Sequence, residues 1–158
     1  MRVRRTTGDD PDAIAFVAAM VDEVGQMYEP GLSRSLTTPA DFVPPGGGFL
    51  LLVGDDGRPL AAGGIKRLDD RACEIKRMYV VPEARGRGLG RELLAALESF
   101  ARDFGYAAAR LDTGAKQPRA QRMYERAGYV PVPDYNGNPY ASFWGEKPLR
   151  RPPEGEPP

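Results

Sequence analysis

Arg85-Gly86-Arg87-Gly88-Leu89-Gly90 joins a strand-like run ending at Val80-Val81-Pro82 to a strongly amphipathic helix. Its three alternating glycines remove Cβ atoms where main chain must approach a ligand closely. The N–H groups that open the following helix have no intrahelical partners, and the helix dipole makes them an anion site. A turn that merely linked strand to helix would need one such glycine, not three interleaved with arginines. The sequence therefore predicts a backbone cradle for phosphate at this joint.

Reading outward toward the C-terminus, Leu89, Leu93, Leu94, Leu97, Phe100 and Phe104 recur at three- and four-residue spacing, the mark of an amphipathic helix, and Gly105 ends it. Ala107 to Asp112 reads as a strand, which the strand-helix-strand order sets parallel to the run before the glycines. Pro118 opens a shorter helix with Ala120, Met123, Tyr124 and Ala127 on one face, closed by Gly128. Tyr129 to Pro133 and Ser142 to Leu149 are read as final strands around the segment Asp134-Tyr135-Asn136-Gly137-Asn138-Pro139-Tyr140.

Toward the N-terminus, the apolar runs Phe49 to Val53, Pro59 to Arg67 and Ala72 to Val81 are separated by Gly54-Asp55-Asp56-Gly57 and Leu68-Asp69-Asp70-Arg71. These turns predict an antiparallel meander. Gln26 to Gly48 is read as a long loop or broken helix. Pro11 to about Val24 is read as a helix whose Ile14, Val17, Ala18 and Val21 face the core, and Arg2 to Thr6 as a strand. The whole is an α/β chain.

Composition narrows the chemistry. The length of 158 residues suits one domain, expected over 1–149, with a disordered tail of proline, glycine and charge over 150–158. Lysine and arginine number 22, as do aspartate and glutamate, so nothing predicts whole-surface attraction to nucleic acid or membrane. No apolar run approaches a membrane span and Met1-Arg2-Val3-Arg4-Arg5 lacks a signal-peptide core, so a cytoplasmic location is expected. The single cysteine, Cys73, rules out an internal disulfide. Histidine is absent, which excludes serine-histidine and cysteine-histidine catalysis and histidine-ligated metal, and no metal is expected. Proton transfer falls to carboxylates, tyrosine, lysine, water or the substrate itself.

A dinucleotide fold is disfavoured by spacing. Gly86, Gly88 and Gly90 give G-x-G-x-G where a Rossmann turn needs G-x-G-x-x-G, and only one strand-helix-strand crossover is visible. The lysine-bearing phosphate loop is absent, since Gly90 is followed by Arg91-Glu92. A ligand whose diphosphate caps one helix while an extended arm runs along a strand remains, and coenzyme A has that shape.

The chain here resembles the GNAT family of N-acetyltransferases. Arg85 to Gly90 matches the family signature Q/R-x-x-G-x-G/A, Val80-Val81-Pro82-Glu83-Ala84 matches its lead-in, and Ala120-Gln121-Arg122-Met123-Tyr124-Glu125-Arg126-Ala127-Gly128-Tyr129 matches its A-x-x-x-Y-x-x-x-G-F/Y run. The resemblance implies an acyl-CoA N-acyltransferase fold with a mixed sheet of about six to seven strands, splayed after the fourth and flanked by about four helices. It implies acetyl-CoA as co-substrate, with Met78, Tyr79 and Val80 along the pantetheine arm and the Val80 N–H as oxyanion donor. Gly86, Arg87, Gly88, Leu89, Gly90 and Arg91 would hold the diphosphate, with charge added by Arg85, Arg87 and Arg91. Tyr124 matches the tyrosine that protonates the departing thiolate, although it also sits where a core tyrosine would. Glu74 and Asp112 are alternative general bases. Gln117, ahead of Pro118, stands where many members carry an asparagine that touches the coenzyme arm.

The implied reaction is acetyl transfer to a primary amine of a small, amino-acid-like molecule. A protein N-terminus or lysine as acceptor, or a non-catalytic acyl-CoA-sensing module, are the alternatives. Family members often pair through their final strands, so a homodimer is a further expectation.

Overall fold

The computed structural model describes residues 1–27 and 38–149. The expected tail and the middle of the expected long loop lie outside the described residues. Seven strands form one mixed sheet: β1 (Arg2–Thr6), β2 (Gly48–Val53), β3 (Pro59–Arg67), β4 (Ala72–Val80), β5 (Ala108–Gly114), β6 (Val130–Pro131) and β7 (Ala141–Pro148), in the spatial order β1-β2-β3-β4-β5-β7-β6. Three α-helices, rather than the expected four or so, are found among the described residues: α1 (Pro11–Met27), α2 (Leu89–Phe104) and α3 (Pro118–Arg126). The described part of the long loop supplies only a 3-10 turn at Pro39–Phe42.

Neighbouring strands run antiparallel except β4 and β5, which are parallel and joined through α2. On one face, Leu93, Leu94, Leu97 and Ala101 of α2 bury themselves against Leu50, Leu52, Ile65, Cys73 and Ile75 of the sheet. Burying each leucine contributes roughly 1.5–3 kcal/mol, and these contacts fix α2 and its N-terminus over the sheet. On the opposite face, α1 packs Ala13, Phe16 and Val17 onto Phe42, Phe49, Leu51, Val53 and Ala62. The buried stripe of α1 is thus displaced by one position from the expected one. Ile14 is 49% exposed and Ala18 faces solvent. Phe16, whose ring meets Tyr79 edge-on at 6.3 Å, brings the larger apolar body, and its burial sets the helix rotation. The expected strand Tyr129 to Pro133 shrinks to Val130–Pro131, since Pro131 and Pro133 cannot donate to a ladder.

Two irregularities shape the centre of the sheet. Strand β5 pairs with β4 only through Ala72↔Ala108, Cys73↔Ala109 and Glu74↔Arg110, after which the strands part, as expected. The β3–β4 register shifts between Ala62 and Gly64, opposite Arg77, which lies in the left-handed region at φ 64°. An L-residue there costs about 1–2 kcal/mol, so the surrounding sheet holds the bulge in place. The extra residue reverses the side-chain alternation. Cys73 and Ile75 face α2, and beyond the bulge it is Met78 and Val80 that pack on that side while Tyr79 turns toward α1.

Candidate active site

The expected cradle begins where β4 ends. Gly86 and Gly88 adopt φ of 80° and 79°, and a Cβ on Gly86 would meet nothing within 4 Å, so backbone conformation rather than crowding demands these glycines. Gly90 has a packing role as well. A Cβ there would lie 3.2 Å from Met123 Sδ, so this glycine lets α2 and α3 approach each other. The first α2 amide to find its helical carbonyl is Glu92, on Gly88 O at 3.2 Å, which leaves the preceding amides to face a ligand. Buried Leu89 anchors the joint in the core.

The signature arginines are used unequally. Arg85 grips Glu23 of α1 with both terminal nitrogens, at 2.8 and 2.5 Å, and donates from Nε to Val80 O at 3.0 Å. Its guanidinium also lies 5.4 Å from the Tyr79 ring centroid. Arg85 therefore ties α1 to the end of β4, a duty the sequence did not reveal. Hydrogen bonding to Glu23 raises the Arg85 pKa, and the Arg85 bond in turn holds the Glu23 carboxyl below its ordinary value. Arg87 leans back on Ala84 O at 3.5 Å, and Arg91 lies beside Gly88.

Where β4 and β5 part, a groove of about 450 Å³ opens. Met78, Tyr79 and Val80 form one wall, Gln117, Pro118 and Ala120 the other, with Met20 and Glu23 at its mouth. The main chain of Val80 faces this opening. Val81 N–H bonds Leu60 O at 2.9 Å, so the polar groups of Val80, one residue earlier, point away from β3. Gln117 sits at the N-cap of α3 but makes no side-chain capping bond.

Tyr124 of α3 is buried, with its hydroxyl 3.7 Å from Met78 Sδ and its ring edge-on to Tyr129 at 6.1 Å. Burial, with a smaller effect from the charge of Asp112, pushes its pKa up to about 12. The phenol is therefore protonated at neutral pH.

Glu74 and Asp112, read from sequence as alternatives, are drawn into one cluster on the α1 side of the sheet. Asn136 Nδ2 donates to Glu74 Oε2 at 2.9 Å and to Asp112 Oδ2 at 2.5 Å. Lys76 Nζ stands 3.8 Å from the first carboxylate and 3.6 Å from the second. The Tyr135 hydroxyl donates to Glu74 at 2.7 Å, and Asn138 Nδ2 to Asp112 at 3.3 Å. Glu74 is 2% exposed and Asp112 10%, so Asp112 is the more accessible of the two. Burial and the neighbouring Glu74 charge raise the Tyr135 pKa, which keeps that phenol a donor.

Residues 16–129 match the model of the acetyltransferase (GNAT) family. The chain belongs to the GNAT family, a family of acyltransferase enzymes. An N-acetyltransferase of Escherichia coli, YjgM, whose own role is uncharacterized, is 31% identical over 144 residues, covering 84% of this chain and 83% of that one. An IAA acetyltransferase of Azospirillum brasilense is 40% identical over 79 residues, 48% of this chain and 51% of its own length. This chain thus spans about half of that relative. A solved structure assigned as an acyl-CoA N-acyltransferase, from Klebsiella pneumoniae, superposes with TM-score 0.74 at 30% identity over 94% of this chain and 97% of the other.

Within this GNAT framework, the residues that sequence reasoning did not single out are Lys76, Asn136, Asn138, Glu23 and Trp144, whose Nε1–H donates to Asn136 Oδ1 at 2.9 Å. Lys76 was detectable, because it lies two positions from Glu74 and must share its strand face. The others come to the site through the β6–β7 loop, α1 and β7, whose placement depends on tertiary packing. Among the described residues no cluster of three or more carboxylate or cysteine side chains is suited to a metal, and no helix is long and apolar enough to cross a membrane.

Proposed function

We propose that this GNAT protein transfers an acetyl group from acetyl-CoA to the primary amine of a small molecule. The observation that carries this reading is the opening between β4 and β5. The glycine cradle follows the end of β4, the Val80 main chain is on the wall of the opening, the Tyr124 hydroxyl is buried behind that wall against Met78, and the Glu74–Asp112 cluster lies on the opposite face of the sheet. The residues fit the coenzyme: the free amides that open α2 suit a diphosphate, and the unpaired edge of β4 suits an extended amide-bearing arm. Acetyl-CoA supplies an activated acyl group.

In this reading, Asp112 removes the proton from the incoming ammonium, directly or through water. The freed nitrogen forms its bond to the carbonyl carbon while the Val80 N–H receives charge on the carbonyl oxygen, a contribution of about 10²-fold or more for a well-placed donor. Tyr124 gives its proton to sulfur as the carbon–sulfur bond breaks, and the second proton that the nitrogen sheds returns through water to the phenolate, which leaves a neutral amide, a thiol and the restored phenol. Tyr135, Asn136 and Asn138 offer aromatic and hydrogen-bonding surface beside the carboxylates, which suits a small polar amine. Balanced net charge supports a reaction involving neither nucleic acid nor membrane.

Thiol release from acetyl-CoA measured across a panel of amines tests the proposal. Turnover on a small amine supports it. Tight coenzyme binding with no turnover on any amine, peptide or protein would replace it with a coenzyme-sensing role. The two carboxylates are also separable. Asp112→Asn is expected to lower kcat/KM by about 10²-fold and abolish its acid limb, whereas Glu74→Gln should cost only about tenfold and retain that limb. An acid limb that survives in Asp112→Asn and disappears in Glu74→Gln would reverse the assignment.

A further inference from the structure

The side-chain amide of Asn136 has a single chemically acceptable orientation. Trp144 Nε1–H, which can only donate, meets Asn136 Oδ1 at 2.9 Å, and the main-chain N–H of Asn138 meets the same oxygen at 3.1 Å. Nδ2 therefore faces Glu74 and Asp112, both acceptors when ionised. Turning the amide over would set its oxygen against two carboxylates and its NH₂ against two donors. The neighbouring backbone is pinned as well, since Asp134 Oδ1 accepts from the N–H groups of Asn136 and Gly137 at 3.0 and 2.7 Å. Trp144 stands directly across the β5–β7 ladder from Asp112, so the group that orients the amide is fixed to the strand that carries the base.

We propose that Asn136, oriented by Trp144, is a positioning residue that joins Glu74 and Asp112 into one coupled pair and holds the Asp112 carboxylate in place to receive the acceptor's proton. The role assigned to Asp112 rests on the function proposed above; the coupling itself does not. Each amide hydrogen stabilises one carboxylate in its charged form, so a proton added to either carboxyl weakens a bond that Asn136 makes. The other groups facing the pair are known. Lys76 of β4 lies between the carboxylates and acts in the same sense. Tyr135 donates to Glu74, Arg110 of β5 is held by Glu146 of β7 at 2.8 Å, and Tyr124 approaches from α3.

Carboxyl-carbon NMR titration of Glu74 and Asp112, run beside the pH profile of kcat/KM, tests the coupling. In Asn136→Ala, the two carboxyl resonances are expected to lose their dependence on each other, and the acid limb should move toward higher pH. Trp144→Phe removes the orienting donor while keeping an aromatic ring, and a smaller shift in the same direction is expected. Lys76→Met should add to the Asn136→Ala shift. If Asn136→Ala folds poorly, Trp144→Phe decides. An unmoved titration in the folded variants overturns the inference. Should that loss of dependence appear in a protein with no acetyl transfer at all, the coupling stands and only the proposed reaction falls.

Discussion

Tyr124→Phe is expected to lower kcat by about 10²- to 10³-fold, the range for loss of a positioned general acid, while leaving thermal stability essentially unchanged. The hydroxyl's recorded partner is Met78 Sδ at 3.7 Å, a weak acceptor, so its removal costs the fold little. Because the Tyr124 pKa is pushed up to about 12, the phenol stays protonated through neutral and moderately alkaline pH. Deprotonation of this group should then produce no alkaline fall in kcat below about pH 11. Donor thioesters with more acidic thiols need less help in leaving and should recover part of the lost rate in the variant. A Tyr124→Phe enzyme with unchanged kcat on every donor would remove the acid role and leave Tyr124 as a core residue packed on Tyr129.

Gly88→Val is expected to weaken coenzyme A binding by about 100-fold with little effect on pantetheine, which lacks the diphosphate. Gly88 holds φ at 79°, where a β-branched residue is a genuine outlier. The peptide must rotate to a negative φ, which turns the amides that open α2 away from the cradle. Gly90→Ala provides the contrast. Its new methyl group meets only the movable thioether of Met123, at 3.2 Å, so a small change is expected. Calorimetry with both ligands reads the difference. Equal losses for coenzyme A and pantetheine would place the effect outside the diphosphate contact.

Much of the fold was legible because it rests on local patterns. The meander was written in Gly54-Asp55-Asp56-Gly57 and Leu68-Asp69-Asp70-Arg71, and α2 in its leucine spacing. The rotation of α1 was not, because Ile14 and Phe16 lie on adjacent stripes and only packing against Tyr79 and the Phe42–Phe49 pair selects one. The short β6 could have been read from Pro131 and Pro133, whose missing donors limit a ladder. Within the candidate site, the motifs gave the glycines, Val80 and Tyr124 as candidates, but not that Gly90 also lets α2 and α3 approach or that Arg85 also ties α1 to β4.

The sequence by itself determined the strand-glycine-helix joint, the absence of histidine chemistry and the GNAT order of elements, since each depends on residue identity and spacing along the chain. Only the tertiary structure decided that Glu74 and Asp112 form one cluster with Lys76 and Asn136. It also decided that an inserted residue at Arg77 swings Met78 and Val80 to the α2 side. The reason is physical: strand register, bulges and loop docking are set by contacts between residues far apart in the chain, and a local pattern does not encode which distant partner a carboxylate will meet.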